Sequence, residues 1–247
     1  MLGSPIPVSG GTSLQDIEAR AQIVLGCRIL SHRRLVEGFG HISVRLDDGT
    51  VLVTPRKALL LVDADEIIRL TTDGQIVGGT GAAPVETNMH LAVYRRRSDV
   101  QAIARTHSFT TSAFAAMGRP IRAVHNFGTH LGQEVPIYPD IALIASPERA
   151  EAVADTLGSR DAVLLRGNGT LVTAPTLTEA VMRAIWLEES ATLQATILAA
   201  GGQPTYFTAE EVALRRVMDM PHEPVRAWDY EVATLAPTQY FPLPPTQ

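Results

Sequence analysis

Gly40-His41-Ile42-Ser43-Val44-Arg45-Leu46-Asp47-Asp48-Gly49-Thr50-Val51-Leu52-Val53-Thr54-Pro55 is the stretch whose reading decides the fold. Ile42 to Leu46 and Val51 to Thr54 alternate in character on either side of Asp47-Asp48-Gly49. An Asp-Gly pair supplies the backbone angles of a tight turn, so the segment reads as a β-hairpin. A second hairpin follows, with Ile67 to Leu70 and Gln75 to Val77 flanking Asp73-Gly74. Upstream, Ser13 with Asp16 and Glu18 close behind marks a helix start. Leu14, Ile17, Ala21, Val24 and Leu25 carry that helix at its own spacing toward an end near Gly38.

Downstream, a helix is expected from Pro84 to Arg97 and a short strand from Val100 to Arg105, running into Thr106-His107-Ser108. A helix from Thr110 to Met117 and a strand around Ile121 to His125 come next. Ser146-Pro147-Glu148 opens a helix over 146–158, with proline in the first turn where its missing N–H is harmless. Ala162 to Leu165 and Thr170 to Thr173 read as strands around Gly167-Asn168-Gly169, and Leu177 to Ala200 as a long apolar helix closed by Gly201-Gly202. Helices at both ends with hairpins between them predict an α/β fold. The expected architecture is a single-domain three-layer α/β/α sandwich around a mixed, largely antiparallel sheet. No repeat or composition break divides the chain. Residues 1–12 read as a flexible, Pro/Gly/Ser-rich start, 13–235 as the domain, and 236–247 as a Pro-rich tail suited to wrap onto another subunit.

Composition narrows the function. The 247 residues are 45% hydrophobic and 19% charged, enough apolar material for a large core. Net charge is -5 and no Lys/Arg cluster occurs, so neither nucleic acid nor an anionic membrane has an electrostatic footprint here. The single cysteine, Cys27, sits at helical spacing among apolar residues and reads as core packing. No basic-then-apolar leader and no bilayer-length apolar run are visible, and the expected compartment is cytoplasmic.

Four segments gather reactive side chains at strand ends or in loops, where functional groups concentrate. They are Gly40-His41-Ile42-Ser43, Thr54-Pro55-Arg56, Glu86 to His107, and Arg166-Gly167-Asn168-Gly169. In this order and spacing, the chain resembles the class II aldolase/adducin family. Gly40 to Arg45 resembles its Gly-Asn-x-Ser loop, and Val53-Thr54-Pro55 its threonine-proline strand end. Glu86 with Met89-His90-Leu91 and Tyr94 resembles its glutamate-bearing helix. Thr106-His107-Ser108 matches the second half of its His-x-His strand end, and Leu164 to Gly169 its third-histidine strand.

The resemblance implies a class II aldolase-like fold, a homotetramer with sites at subunit interfaces, and a divalent metal held by three histidines. Such a metal, as Lewis acid, would stabilise the enediolate or carbanion left when a carbon–carbon bond breaks. This sequence departs from the pattern at two ligand positions. Arg105 stands at the first histidine and Asn168 at the third, leaving His107 with Glu86 nearby. The expectation is no metal cofactor, with Arg105 taking the ion's electrostatic place. The alternative is Zn, Mn or Fe(II) held by His107 with rearranged partners drawn from His90, His125 or His130.

The resemblance implies a change of substrate as well. Where family members cradle a phosphate, this chain has His41, Arg56 and Ala83-Pro84. Together with Arg226-Ala227-Trp228-Asp229-Tyr230, the pattern is similar to the branch of decarboxylases acting on hydroxylated aromatic or pyridine carboxylates. The expected ligand is a small-molecule carboxylate. Glu86, His107 and Arg105 are the catalytic candidates. His41, Ser43, Arg56, Asn168, His130 and Trp228 are the substrate-binding candidates, and His222, Trp228 or Tyr230 of a neighbouring subunit could complete the pocket. Three functions follow: a lyase or isomerase without metal, a metal lyase with a rebuilt ligand set, or an adducin-like scaffold with no turnover.

Overall fold

The structure, a computed structural model, describes residues 13–218 and 222–235. The expected flexible start at 1–12 and the tail at 236–247 lie outside the described residues. Helix α1 (Leu14–His32) begins where Ser13 Oγ accepts the Asp16 amide at 3.1 Å. It ends six residues before Gly38. Arg34 turns into the left-handed region at φ 56°, and the Leu35 amide reaches back to the Leu30 carbonyl. That closure caps the helix and folds Leu35 and Val36 into the core, sending the next residues straight to the sheet.

Strands β1 (His41–Arg45) and β2 (Val51–Val53) form the first hairpin, and β3 (Ile68–Leu70) and β4 (Ile76–Gly78) the second. Helix α2 (Thr87–Arg96) starts later than Pro84, because Pro84 and Val85 form a turn whose carbonyl holds the Thr87 amide and hydroxyl. Strand β5 (Ala102–Thr106) and α3 (Phe109–Ala116) follow. The strand expected around Ile121 to His125 shrinks to β6 (Ile121–Arg122), which pairs with β7 (Glu134–Val135) outside the main sheet. Then come β8 (Ile137–Tyr138), α4 (Pro147–Leu157), β9 (Ala162–Leu165), β10 (Gly169–Ala174) and α5 (Leu177–Ala199). Two helices that the sequence reading did not place, α6 (Ala209–Arg216) and α7 (His222–Thr234), complete the described chain.

The sheet runs β4-β3-β2-β1-β5-β10-β9-β8, antiparallel throughout except for the parallel β8–β9 pair. Its two faces bury different sets of side chains, as the two-residue period of a strand requires. Ile42, Ala104, Leu164 and Val172 pack against α1, α3 and α5, whereas Ile103, Val163 and Leu171 pack against α2 and α4. This is the expected three-layer sandwich. No helix among the described residues is long and apolar enough to cross a membrane.

The antiparallel register matters most for function. His41 pairs with Arg105, Arg105 with Leu171, and Gly169 with Leu165. The start of β1, the end of β5 and the β9–β10 turn therefore meet at one edge of the sheet. Segments far apart in sequence are brought there without any long loop.

Candidate active site

A cavity of about 570 Å³ opens at that edge. Six of the expected residues line it: His41, Arg56, Glu86, Arg105, His107 and Asn168. Ser43, two residues further along β1, lies fully buried behind His41. Phe39, Lys57, Pro84, Val85 and Leu143 complete much of the wall. Of these, Lys57 was detectable as the neighbour of Arg56. Leu143 follows irregular chain and carries no sequence signal.

His130 and Trp228 are not in this cavity. His130 is held by Glu223 at 2.9 Å and lies against the Trp186 ring of α5, while Trp228 packs from α7 onto the core beneath the opposite helical layer. His125 bonds Ser190 on the same helix. Within one chain, neither His125 nor His130 lies in the cavity that His107 lines.

Glu86 occupies the N-cap of α2 instead of its interior. Its Oε2 lies 3.1 Å from the Arg105 guanidinium and 3.7 Å from His41 Nε2. Its Oε1 accepts the Asn168 side-chain amide at 2.7 Å and the Ile144 backbone N–H at 3.3 Å. Burial pushes this carboxyl up, but the nearby His41 ring, the Arg105 charge and the Asn168 amide outweigh it and hold Glu86 at about 2. Glu86 is therefore a carboxylate at neutral pH.

Arg105 is only 1% exposed, and its Nε has no partner among the described residues. Burial pulls its pKa down and the Glu86 charge opposes that. A guanidinium still keeps its proton at any working pH. His107, at the rim, is driven down to about 4 by desolvation and then by the Arg105 cation, so its imidazole is neutral.

These residues do not fit the divalent metal that the resemblance implies. Arg105 cannot ligate and would repel a dication. Asn168 spends its amide N–H on Glu86, and both Glu86 oxygens are already engaged by donors. No group of three His, Cys, Asp or Glu side chains among the described residues could hold a metal ion. What the arrangement does offer is an anion site. Arg56, Lys57 and Arg105 face a single cavity carboxylate, Glu86. Lys57 is paired with Glu66 at 2.7 Å and Arg105 with Glu86 at 3.1 Å, so exposed Arg56 is the cavity cation with no carboxylate at salt-bridge distance among the described residues.

The profile of the family described as Class II Aldolase and Adducin N-terminal domain matches residues 21–195, well over half of the chain, which belongs to that family. A 3,4-dihydroxyphthalate decarboxylase of Arthrobacter keyseri is 31% identical over 234 residues, covering 88% of this chain and 94% of its own. A 3-oxo-tetronate 4-phosphate decarboxylase of Haemophilus influenzae is 31% identical over 210 residues, covering 81% and 96%. Among solved structures, L-fuculose 1-phosphate aldolase from Glaciozyma antarctica superposes with a TM-score of 0.77 over 92% of each chain, at 21% identity, which is a likeness of fold. The decarboxylases agree with the branch that the motifs resemble.

Proposed function

We propose that this chain is a carbon–carbon lyase that decarboxylates a small hydroxylated carboxylic acid without a divalent metal. The observation that carries the reading is the buried Arg105–Glu86 pair at the cavity floor. A fixed cation there faces the charge that develops when a carbon–carbon bond breaks. The apolar wall of Phe39, Pro84, Val85 and Leu143 suits a flat or aromatic body, and Arg56 suits its carboxylate. The similarity to a decarboxylase named for dihydroxyphthalate supports this class of substrate.

In the resting site Glu86 is a weak base. A bound carboxylate shares the cations that hold it ionised and so raises its proton affinity. Glu86 then takes the proton of a substrate hydroxyl and returns it to the carbon that bears the carboxylate. The carbon–carbon bond breaks, CO2 leaves without the bonding pair, and the pair settles on the hydroxyl oxygen, where Arg105 faces it. Solvent supplies the proton that neutralises this oxygen. His107, neutral at the rim, serves as a hydrogen-bonding partner to the substrate.

Glu86→Gln keeps the shape and the Asn168 side of the network but removes the base. CO2 release from a panel of hydroxylated aromatic acids should fall about 100-fold or more in this variant. Undiminished turnover contradicts the role. A wild type that turns over nothing returns the adducin-like scaffold reading.

The assembly is taken to be a homotetramer. Phe39 at the cavity and Phe109 at the start of α3, 77% and 86% exposed, support a partner surface. Sedimentation should give four times the chain mass, and a monomer would contradict it.

A further inference from the structure

Behind the cavity, two sequence periods lock together. On α2, Glu86, His90 and Tyr94 recur every fourth residue and share one helix face. On β1, His41, Ser43 and Arg45 recur every second residue and share one strand face. The helix advances about 6 Å over four residues and the strand about 6.7 Å over two, so the two polar rows interdigitate. The result is a hydrogen-bonded chain running inward from the cavity. His41 Nδ1 lies 2.7 Å from His90 Nε2, His90 Nδ1 lies 2.6 Å from Ser43 Oγ, and Ser43 Oγ lies 2.8 Å from the Tyr94 hydroxyl. Ser43 and His90 are fully buried, Tyr94 is 2% exposed, and the Arg45 guanidinium covers the Tyr94 ring.

Counting protons fixes the direction of this chain. With both histidines neutral, four groups bring four protons, and three arrangements satisfy the three links, one outward and two inward. The second inward one, in which Tyr94 as well as His90 donates to Ser43, leaves the buried Ser43 proton without an acceptor among the described residues. In the first inward arrangement, His41 donates to His90, His90 to Ser43 and Ser43 to Tyr94. The buried Tyr94 hydroxyl then has no acceptor among the described residues, and the bare lone pair of His41 Nε2 faces the Glu86 carboxylate at 3.7 Å. Both features are unfavourable. In the outward arrangement, Tyr94 donates to Ser43, Ser43 to His90 and His90 to His41 Nδ1. His41 then presents Nε2–H to the cavity. At 3.7 Å that hydrogen is beyond a normal hydrogen bond to Glu86, so it remains available to a ligand.

We infer that His41 is a substrate-contacting hydrogen-bond donor, fixed as the Nε2–H tautomer by the buried His90–Ser43–Tyr94 chain, whose three members are positioning residues. This rests on the lyase reading for what His41 contacts, the substrate oxygen that gains charge beside Arg105. Removing a donor of this kind lowers kcat by about 100-fold.

The test reads the imidazole nitrogens of His41 by 15N NMR in resting protein without ligand, alongside kinetics. Wild type should show Nε2 protonated and Nδ1 bare. Ser43→Ala deletes the donor to His90, so His41 should become a mixture of tautomers. Its kcat should drop about tenfold while KM changes little. His90→Gln, whose amide can still donate to His41 Nδ1, should keep both the tautomer and most of kcat, whereas His90→Leu should keep neither. An Nδ1–H tautomer in wild type, or a Ser43→Ala protein that folds with His41 shifts unchanged, overturns the inference. If Ser43→Ala does not fold, the His90→Gln and His90→Leu pair decides, and equal behaviour of these two overturns it. Because the tautomer is read without substrate, its failure is distinct from failure of the lyase reading, which shows as no turnover by wild type.

Discussion

Glu86 and His107 line one cavity, one ionised and one neutral, and both make the fold sensitive to acid. Glu86 is held at about 2 against an ordinary 4.5. The unfolded chain binds more protons between those values, so the stability that ionised Glu86 contributes is complete above pH 4.5 and is lost as pH falls toward 2. His107 is held at about 4 against 6.5. Neutral in the fold and protonated once unfolded, it lowers stability as pH falls from 6.5 to 4 and adds nothing further below that. The two slopes have the same sign. Urea midpoints should decline steadily from pH 7 to 3. His107→Gln should flatten the upper part of that decline and Glu86→Gln the lower part. A midpoint that rises on acidification would contradict these assignments. At this scale the sequence named residues that the structure brings to one cavity, Arg105 and Asn168 among them, singled out by their departure from the family pattern the chain resembles. A Glu86–Arg105 salt bridge could be read from the sequence; the Asn168 bond to the same carboxylate could not, because it depends on a sheet register that no local pattern encodes.

The elements place these groups through a few sharp backbone features. Gly169 begins β10 at φ +84°, and a Cβ there would lie 2.0 Å from the Thr106 carbonyl oxygen. Only glycine allows β5 and β10 to approach so closely beside Asn168 and Arg105. Gly169→Ala should lose about 2 kcal/mol or more in chemical denaturation. It should also weaken the Asn168–Glu86 contact. Gly118, at φ +64° with open space around it, serves as control, and Gly118→Asn should lose well under half as much. Equal losses would mean that crowding at Gly169 does not matter. Hairpins and long helices were readable because each has a local signature: Asp-Gly turns, the Ser13 and Ser146 caps, the apolar period of α5. The early end of α1 was hidden, since its stop signal is Arg34 in a conformation usually given to glycine. Helices α6 and α7 were missed; few of their side chains are fully buried, Val212 in α6 and Pro224 and Glu231 in α7, although Ala227, Trp228 and Val232 of α7 pack partly against the core.

Over the whole molecule, the antiparallel sheet works as a device for convergence. Every second strand end returns to the same edge, so a hairpin loop, a helix cap, a strand end and a turn share one cavity although they span residues 38 to 168. His130 and Trp228 were further substrate-binding candidates, Trp228 through the family resemblance and from a neighbouring subunit. Within one chain His130 lies against Trp186 of α5 and bonds Glu223 of α7, and Trp228 of α7 packs against the core. At the convergence point lies a buried guanidinium, Arg105, paired with the Glu86 carboxylate. The most direct measurement is elemental analysis of untagged protein purified without chelator, paired with turnover before and after exhaustive chelation and after addition of Zn, Mn or Fe(II). The account predicts well under one metal per ten chains, with turnover unchanged by chelation or by added ions. Near-stoichiometric metal whose removal abolishes turnover and whose return restores it would contradict the account.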